Sequence, residues 1–389
     1  MDIHRGQSPS EKRDQDSDQM LKDLTIHNYR LFKQFELTTV ARVNLIVGTN
    51  NSGKSSLLEA LYLLTNEDVS SGLLYVLNER GEFSLRTTDP RLERQRTEGY
   101  HVSQLFYGRT LKPETAVWIH SGPEKNGTWV RISRQEGKVP RESPQLALFP
   151  DVEVIEAYDQ AVFLLYEHSR RRGTPTSLRL TADGLLPYAY SRAYAKRAIS
   201  VQGTSKLVTT NHLGYDELAM LWDNITLTPK ESRVIEALQI LEPRVERISF
   251  TSVQSSNSGI LLKLKGETDP VPLGSMGDGM RRVLAITASL VSVDNGTLLV
   301  DEIDTGLYYG VLTDVWRLVL ETASKQNAQV FATTHSWDCV KAFQEALRES
   351  KDPGLGCLIR LEKVDQQIRT VTYSADELDI AIQQGIEVR

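Results

Sequence analysis

Residues 43–56 read VNLIVGTNNSGKSS: an apolar run, two glycines around four small polar residues, then lysine and serine. The apolar run predicts a buried strand, and the leucines of residues 57–64 recur at helical spacing. The loop between them fits the pattern G-x-x-x-x-G-K-S. Its glycines let the backbone turn its N–H groups toward an anion, and the helix directs its positive end to the same place. We interpret the loop as a cradle for the phosphates of a nucleotide.

The residue types of this loop predict its ligands. Lys54 is expected to reach the β- and γ-phosphates and to assist catalysis, and Ser55 is expected to ligate Mg²⁺. The sequence contains no guanine-binding N-K-x-D motif, so the expected cofactors are ATP and Mg²⁺. The residues expected to contact the nucleotide here are Gly48, Asn50, Asn51, Ser52, Gly53, Lys54, Ser55 and Ser56.

Two later apolar runs end in residues that can act on a phosphate. The first, TLLVDEIDTGL at residues 297–307, places Asp301 at a strand end, where its carboxylate can bind Mg²⁺. Glu302 follows directly and is the predicted general base for the attacking water. The second, QVFATTHS at residues 329–336, ends at His335, which can hydrogen-bond a γ-phosphate. The predicted catalytic residues are therefore Glu302, His335 and Lys54.

A second anion site is predicted upstream of the acids. Residues 274–279 read GSMGDG and precede an apolar helix, so Ser275, Gly277, Asp278 and Gly279 lie at another helix N-terminus. One nucleotide does not need two such sites in one subunit. Two subunits placed head-to-tail would use both, which predicts a homodimer that encloses ATP between its heads.

Four elements of the sequence together resemble the ATP-binding-cassette class of the SMC, RecF and OLD type. The phosphate loop resembles the Walker A motif of that class, GSMGDG its signature, LLVDEID its Walker B motif with the D-loop, and ATTHS its switch histidine. The opening LTIHNYRLFKQFEL is also similar, and the closest resemblance is to bacterial stand-alone AAA family ATPases of the OLD-like group. It covers residues 21–65 and 270–389 and implies an α/β P-loop NTPase fold with an ABC-type head, ATP hydrolysis and ATP-dependent dimerisation. The signature departs from L-S-G-G-Q, and Gln104 is the candidate for the family's metal-binding glutamine.

The organisation predicted for the 389 residues is an ATPase head with insertions. Residues 1–20 read as a disordered tail, and residues 21–112 and 247–389 as the two parts of a head with a mixed β-sheet. Residues 113–213 are predicted to form an antiparallel β subdomain that includes a hairpin of AVWIH and TWVRIS. Residues 214–246 read as a short helical insertion. TPKE at residues 228–231 and SADE at residues 374–377 carry helix-start patterns.

Composition narrows the setting. Two cysteines form no framework, and no apolar run is long enough for a membrane helix or a signal peptide, so we expect a cytoplasmic protein with no membrane partner. The net charge is −6, yet residues 165–200 are locally basic with interleaved tyrosines, which makes DNA a possible partner. The alternative is a solvated face. The basic residues are Arg170, Arg171, Arg172, Arg179, Arg192, Lys196 and Arg197.

The predicted function is a dimeric ATPase switch that signals to a partner effector encoded nearby. By resemblance, the setting is DNA-related work or phage defence. The chain ends too soon after His335 for a nuclease domain of the OLD kind, so we expect any nuclease to be a separate polypeptide. The alternatives are a RecF-like DNA repair clamp, the nucleotide-binding subunit of a transporter, and a nucleotide sensor that does not hydrolyse.

Overall fold

The structure is a computed structural model of the chain. It describes residues 20–66, 68–87, 96–111, 115–122, 127–135, 162–169, 172–180, 185–187, 205–211, 213–251, 259–365 and 367–389. The predicted tail therefore lies almost wholly outside the described residues.

The strands of the described residues occur partly in consecutive runs and partly between helices. In chain order they are β1 (Leu24–Tyr29), β2 (Phe32–Leu37), β3 (Val43–Val47), β4 (Phe83–Thr87), β5 (Arg96–His101), β6 (Ala116–His120), β7 (Gly127–Gln135), β8 (Val162–Ser169), β9 (Arg172–Arg179), β10 (Leu185–Pro187), β11 (Ser205–Val208), β12 (Val245–Thr251), β13 (Gly259–Leu264), β14 (Val271–Pro272), β15 (Thr297–Val300), β16 (Gln329–Thr333), β17 (Gly356–Val364) and β18 (Gln367–Tyr373).

The α-helices of the described residues are α1 (Lys54–Thr65), α2 (Val69–Glu79), α3 (Tyr215–Asp223), α4 (Pro229–Gln239), α5 (Asp278–Ser292), α6 (Leu312–Lys325), α7 (Trp337–Glu349) and α8 (Ala375–Gln383). Within the described ranges, no helix combines the length and the apolar character needed to cross a membrane.

The central sheet has the strand order β11-β15-β16-β3-β17-β18. Its first five strands are parallel, and β18 returns antiparallel to β17, so the sheet is mixed. β3 is buried along its whole length. Leu45 of β3 packs in one apolar cluster with Leu284 of α5, and the adjacent Ile46 packs in another with Leu61 of α1. Helices thus cover both faces of the sheet, as parallel strands require, and the predicted α/β fold class is confirmed.

A second six-stranded sheet is antiparallel, with the order β2-β1-β6-β7-β8-β9. The predicted hairpin forms, because β6 and β7 pair antiparallel with Trp118 opposite Trp129. β6 also pairs with β1, so the strands β6, β7, β8 and β9 extend the sheet that β1 and β2 begin. β11 joins the central sheet. Two strand pairs therefore cross the predicted boundaries. β1 pairs with β6 across the boundary at residues 112/113, and β15 pairs with β11 across the boundary at residues 213/214. The domain limits themselves stay a prediction.

The two helices of the predicted insertion pack onto the head. Trp222 of α3 and Val234 of α4 belong to the same buried cluster as Leu284 of α5. α4 begins as predicted, with Thr228 accepting a hydrogen bond from the N–H of Lys230 and Pro229 in the first turn. This segment therefore contributes apolar side chains to the main core.

Candidate functional site

The phosphate loop joins the end of β3 to the start of α1, at the carboxyl edge of the central sheet. Gly48 has φ +147° and Gly53 has φ +99°, which L side chains rarely adopt. A Cβ on Gly48 would lie 2.6 Å from the carbonyl oxygen of Leu361, and one on Gly53 would lie 3.0 Å from Phe32. Both glycines are therefore required by conformation and by space. In open parallel sheets, ligands bind at this edge.

Lys54 lies over its own loop. Its Nζ donates hydrogen bonds to the carbonyl oxygens of Gly48, at 2.8 Å, and Thr49, at 3.2 Å. Burial lowers the pKa of Lys54, and the nearby carboxylates of Asp301 and Glu302 oppose that shift. The ammonium group is held by neutral carbonyls, so it remains able to pair with an anion seated on the loop.

Two hydroxyls and a carboxylate come together beside the ends of β15, β16 and β3. Ser55, in the first turn of α1, donates from Oγ to Oδ2 of Asp301 at 2.8 Å. Thr333, the last residue of β16, donates from Oγ1 to Oδ1 of the same Asp301 at 2.6 Å. β16 lies between β15 and β3, so this contact follows from the strand order. Each carboxylate oxygen of Asp301 thus accepts one hydroxyl.

The donors at this point suit Mg²⁺. A serine hydroxyl and a carboxylate are hard oxygen ligands, and Mg²⁺ commonly takes one or two protein oxygens together with substrate phosphates and waters. Within the described residues, no group of three or more His, Cys, Asp or Glu side chains is placed to hold a metal. A hydroxyl such as that of Ser55 and a carboxylate such as that of Asp301 are ligands of the kind that Mg²⁺ uses when it also binds nucleotide phosphates.

Glu302 and His335 meet beside this pair. Oε1 of Glu302 lies 3.5 Å from Nδ1 of His335, and both side chains are partly open to solvent. The backbone of Glu302 is left-handed, with φ +49°. Its N–H donates to Oγ1 of Thr333 at 2.8 Å, and Thr305 Oγ1 lies 3.4 Å from its Oε2. The structure thus brings together Lys54, Ser55, Asp301, Glu302 and His335, and their roles remain predictions.

The predicted second anion site lies at the start of α5. Gly277 has φ +90° and precedes the helix, and Ser275, Gly277 and Asp278 are exposed. A Cβ on Gly279 would lie 2.8 Å from the carbonyl oxygen of Gly306, so the helix start touches the loop that follows Glu302. Among the described residues, no hydrogen bond or ion pair joins residues 275–279 to the phosphate loop.

Gln104 is not joined to the site by a hydrogen bond within the described part of the chain. It lies in the single-turn helix Val102–Leu105, and its carbonyl oxygen is 3.5 Å from Nη1 of Arg30. Arg30 also binds Glu82 and Glu59, the latter on α1, with 2.6 Å between Arg30 Nε and Glu59 Oε2. The proposed metal contact of Gln104 stays a prediction.

Sequence reasoning missed three residues of this site. Thr333 bonds both Asp301 and Glu302, and Thr334 Oγ1 donates to Asp304 Oδ1 at 2.6 Å. Arg282 of α5 is fully buried against the backbone of Asp301. The signals were a pair of hydroxyls directly before His335 and the pair Arg281–Arg282, which precedes the apolar part of its helix.

Two family models match the chain. One, described as "AAA domain, putative AbiEii toxin, Type IV TA system", matches residues 159–338, and an AAA ATPase domain model matches residues 20–101. A strand, a glycine-rich loop and a helix with its Ser55–Asp301 pair define a P-loop nucleotide-binding protein. The models agree with that class.

Proteins of known name are similar to this chain at low identity. An ATP/GTP phosphatase of Helicobacter pylori is 22% identical, covering 92% of this chain and 97% of the relative. The DNA replication and repair protein RecF of Rickettsia prowazekii is 28% identical over 30% of this chain and 37% of its own. Over the matched ranges the chain is similar to AAA family ATPases and, over a smaller part, to RecF. The Smc head domain with an extended coiled coil bound to the C-terminal domain of ScpA, from Pyrococcus furiosus, aligns with a TM-score of 0.47 at 13% identity, covering 94% of this chain and 98% of that one.

Proposed function

We propose that the protein hydrolyses ATP in a Mg²⁺-dependent reaction at the carboxyl edge of its central sheet. The observation that carries the proposal is Asp301, whose two oxygens accept from Ser55 and Thr333 while Glu302 and His335 stand beside it. A metal-binding carboxylate next to a phosphate loop, with a base adjoining it, is the arrangement that phosphoryl transfer to water needs.

Each side chain has one part in the proposed reaction. The loop and Lys54 bind the β- and γ-phosphates and orient them. Ser55 and Asp301 would hold Mg²⁺, which when bound neutralises charge on those phosphates. Glu302 accepts a proton from the water that attacks the terminal phosphorus, and ADP leaves with the bonding electrons. His335 donates a hydrogen bond to the terminal phosphate. Glu302 is partly exposed, so water can reach it.

The first experiment separates binding from turnover. Lys54→Ala should lose ATP affinity, whereas Glu302→Gln should bind ATP normally and hydrolyse it about 10²–10⁴-fold more slowly, because only the base is removed. Glu246→Gln, which changes an exposed glutamate on β12, is the matched control. If Glu302→Gln turns over ATP as fast as this control, Glu302 is not the base. GTP should be assayed beside ATP, because the full-length relative is named an ATP/GTP phosphatase.

We further propose that two subunits share two ATP molecules, each held by one subunit's phosphate loop and the other's residues 275–279. Support comes from the exposure of Ser275, Gly277 and Asp278 at a helix start. It also comes from the contact of Gly279 with the loop after Glu302, which places that helix start on the site's side of the head.

A mixing assay tests the shared site. Lys54→Ala and Ser275→Arg should each be inactive alone. In a mixed dimer one site carries both defects and the other carries neither, so equal mixing leaves roughly a quarter of all sites intact. Activity should return on mixing, and Glu302→Gln should form an ATP-dependent dimer by light scattering. Failure of both results would leave residues 275–279 as an ordinary helix start.

For the biological role we propose a nucleotide-dependent switch that acts with a separate effector protein. The model that matches residues 159–338 is described with a toxin–antitoxin system, which supports a role together with an effector protein. The RecF relatives support a role on DNA as the second candidate. Five of the seven basic residues of the predicted DNA-binding stretch lie outside the described residues: Arg170, Arg171, Arg192, Lys196 and Arg197. A RecF-like role requires that ATP raise the DNA affinity of Glu302→Gln. Equal affinity with and without ATP would favour the effector.

A further inference from the structure

Arg282 is buried in an unusual way. It lies one turn into α5, the helix that begins at Asp278, and its side chain is fully enclosed. Its guanidinium donates to backbone carbonyls: Nη1 to Thr209 at 2.7 Å, and Nη2 to Asp301 and, at 3.0 Å, to Glu302. Among the described residues, Arg282 forms no ion pair within 4.0 Å, and its Nε is buried without a hydrogen-bond acceptor.

Stability alone does not explain this arrangement. Enclosing a cation without a directly paired carboxylate is costly, and an apolar side chain of similar volume often serves a core as well or better. Burial lowers the pKa of Arg282, while the charges of Asp301, Asp304 and Glu302 oppose that shift. The arginine thus sits in the field of the acids that the proposed reaction uses, bonded to their backbone and not to their carboxylates.

The contacts of Arg282 bear on the conformation of Glu302. Glu302 has φ +49°, a conformation that is uncommon for a side chain of this kind and needs support from its surroundings. Two side chains supply that support, one at the N–H of Glu302 and the other at its carbonyl oxygen. Thr333 accepts the N–H of Glu302, and Arg282 donates to its carbonyl oxygen. One of these supports belongs to β16, and the other to the helix whose first turn carries Gly279.

We propose that Arg282 is a positioning residue, which holds the backbone of Glu302 and links it rigidly to α5. The inference rests on the proposed function, because it assumes that Glu302 is the base. A contact made at residues 275–279 would then move α5 and, through Arg282, the backbone that aims the Glu302 carboxylate. The rate of ATP hydrolysis would then depend on what is bound at residues 275–279, although the bound group does not contact Glu302.

The test uses Arg282→Met, Arg282→Lys and, as a matched control, Arg348→Met on the exposed face of α7. Methionine fills much of the space but donates nothing, so we expect kcat to fall about 10²-fold, within the range for misplacing a catalytic group. The dissociation constant for a fluorescent ATP analogue should change less than about 3-fold, because the phosphate loop is untouched. Arg282→Lys keeps the charge and part of the donor set, so its loss should be intermediate. Arg348→Met should match the wild type.

A double-mutant cycle separates positioning from a general loss of structure. If Arg282 acts through Glu302, adding Arg282→Met to Glu302→Gln should cause little further loss in single-turnover hydrolysis, because coupled residues are not additive. The same 10²-fold loss in both backgrounds, or a loss of ATP affinity that matches the loss of kcat, would overturn the proposal. If circular dichroism shows that Arg282→Met does not fold, the same cycle is run with Arg282→Lys, and the proposal is overturned if the loss caused by Arg282→Lys alone recurs in full in the Glu302→Gln background.

The cycle also distinguishes the two proposals. If Glu302→Gln hydrolyses ATP at the wild-type rate, the proposed base is wrong and the role of Arg282 falls with it. If Glu302→Gln slows hydrolysis as expected but the two losses multiply, the proposed base stands and only the role of Arg282 is refuted.

Discussion

Replacing Thr333 by valine removes one hydroxyl and leaves the side chain's shape almost unchanged. Thr333 is fully buried, donates to Asp301 at 2.6 Å and accepts the N–H of Glu302 at 2.8 Å. The hydrogen bond to the Asp301 carboxylate stabilises the fold by about 1.5–3 kcal/mol. Leaving the buried N–H of Glu302 without an acceptor would destabilise it by about 1–3 kcal/mol. Water can reach part of Glu302 and offset some of this. We expect valine to lower the free energy of unfolding by about 2–4 kcal/mol.

Thr333→Ser is the matched control, because serine keeps both hydrogen bonds and loses one methyl group, which costs about 1 kcal/mol. Urea unfolding measures the difference in the free energy of unfolding between the two variants. Steady-state ATP hydrolysis against Mg²⁺ concentration measures the second effect, since only valine frees Asp301 to turn away from Ser55. Valine should raise the Mg²⁺ concentration needed for half-maximal rate. Equal urea midpoints and equal Mg²⁺ dependence for the two variants would refute the role assigned to this hydroxyl.

Two further predictions concern packing and thiol chemistry. Gly279→Ala should destabilise by about 1–3 kcal/mol, because its Cβ would meet the Gly306 carbonyl at 2.8 Å. Gly274→Ala, whose Cβ meets only the guanidinium of Arg281 at 3.5 Å, should be near neutral in the same urea titration; equal midpoints would contradict the contact. Burial raises the pKa of Cys339 to about 12 and that of Cys357 to about 11, so neither thiol should react with Ellman's reagent at pH 8 until guanidinium chloride unfolds the protein. Rapid native labelling would show that these cysteines are accessible.

The local elements could be read from short stretches of sequence because their causes are local. At Gly48 and Gly53, the loop needs backbone angles that side chains other than glycine rarely adopt, so the two glycines predict the turn. The start of α8 is another case, where Ser374 and Glu377 form the capping box that SADE predicts. The polar stretch SGPEKNG between AVWIH and TWVRIS likewise predicted the pairing of β6 with β7, since a hairpin joins neighbours in the chain.

The sequence also placed the acids and the histidine at strand ends, and parallel strands present those ends at one edge of the sheet. It did not predict that β16 separates β15 from β3, although this order brings Thr333 within hydrogen-bond distance of Asp301. Any buried strand offers the same row of N–H and C=O groups, so an apolar run indicates a strand without naming its neighbours. For the same reason the pairing of β6 with β1 had no signal in either strand.

By itself, the amino-acid sequence determined the phosphate loop, the residues that stand at the strand ends and the chemistry that their side chains can supply. Only the tertiary structure decided which groups support them: the hydroxyl of Thr333 and the guanidinium of Arg282, which bonds the backbone of Thr209, Asp301 and Glu302. A local pattern is set by steric limits within a few residues. A contact between Arg282 and Thr209 depends on how whole elements pack, and that packing is chosen by the burial of apolar surface over the entire core, which no short stretch contains.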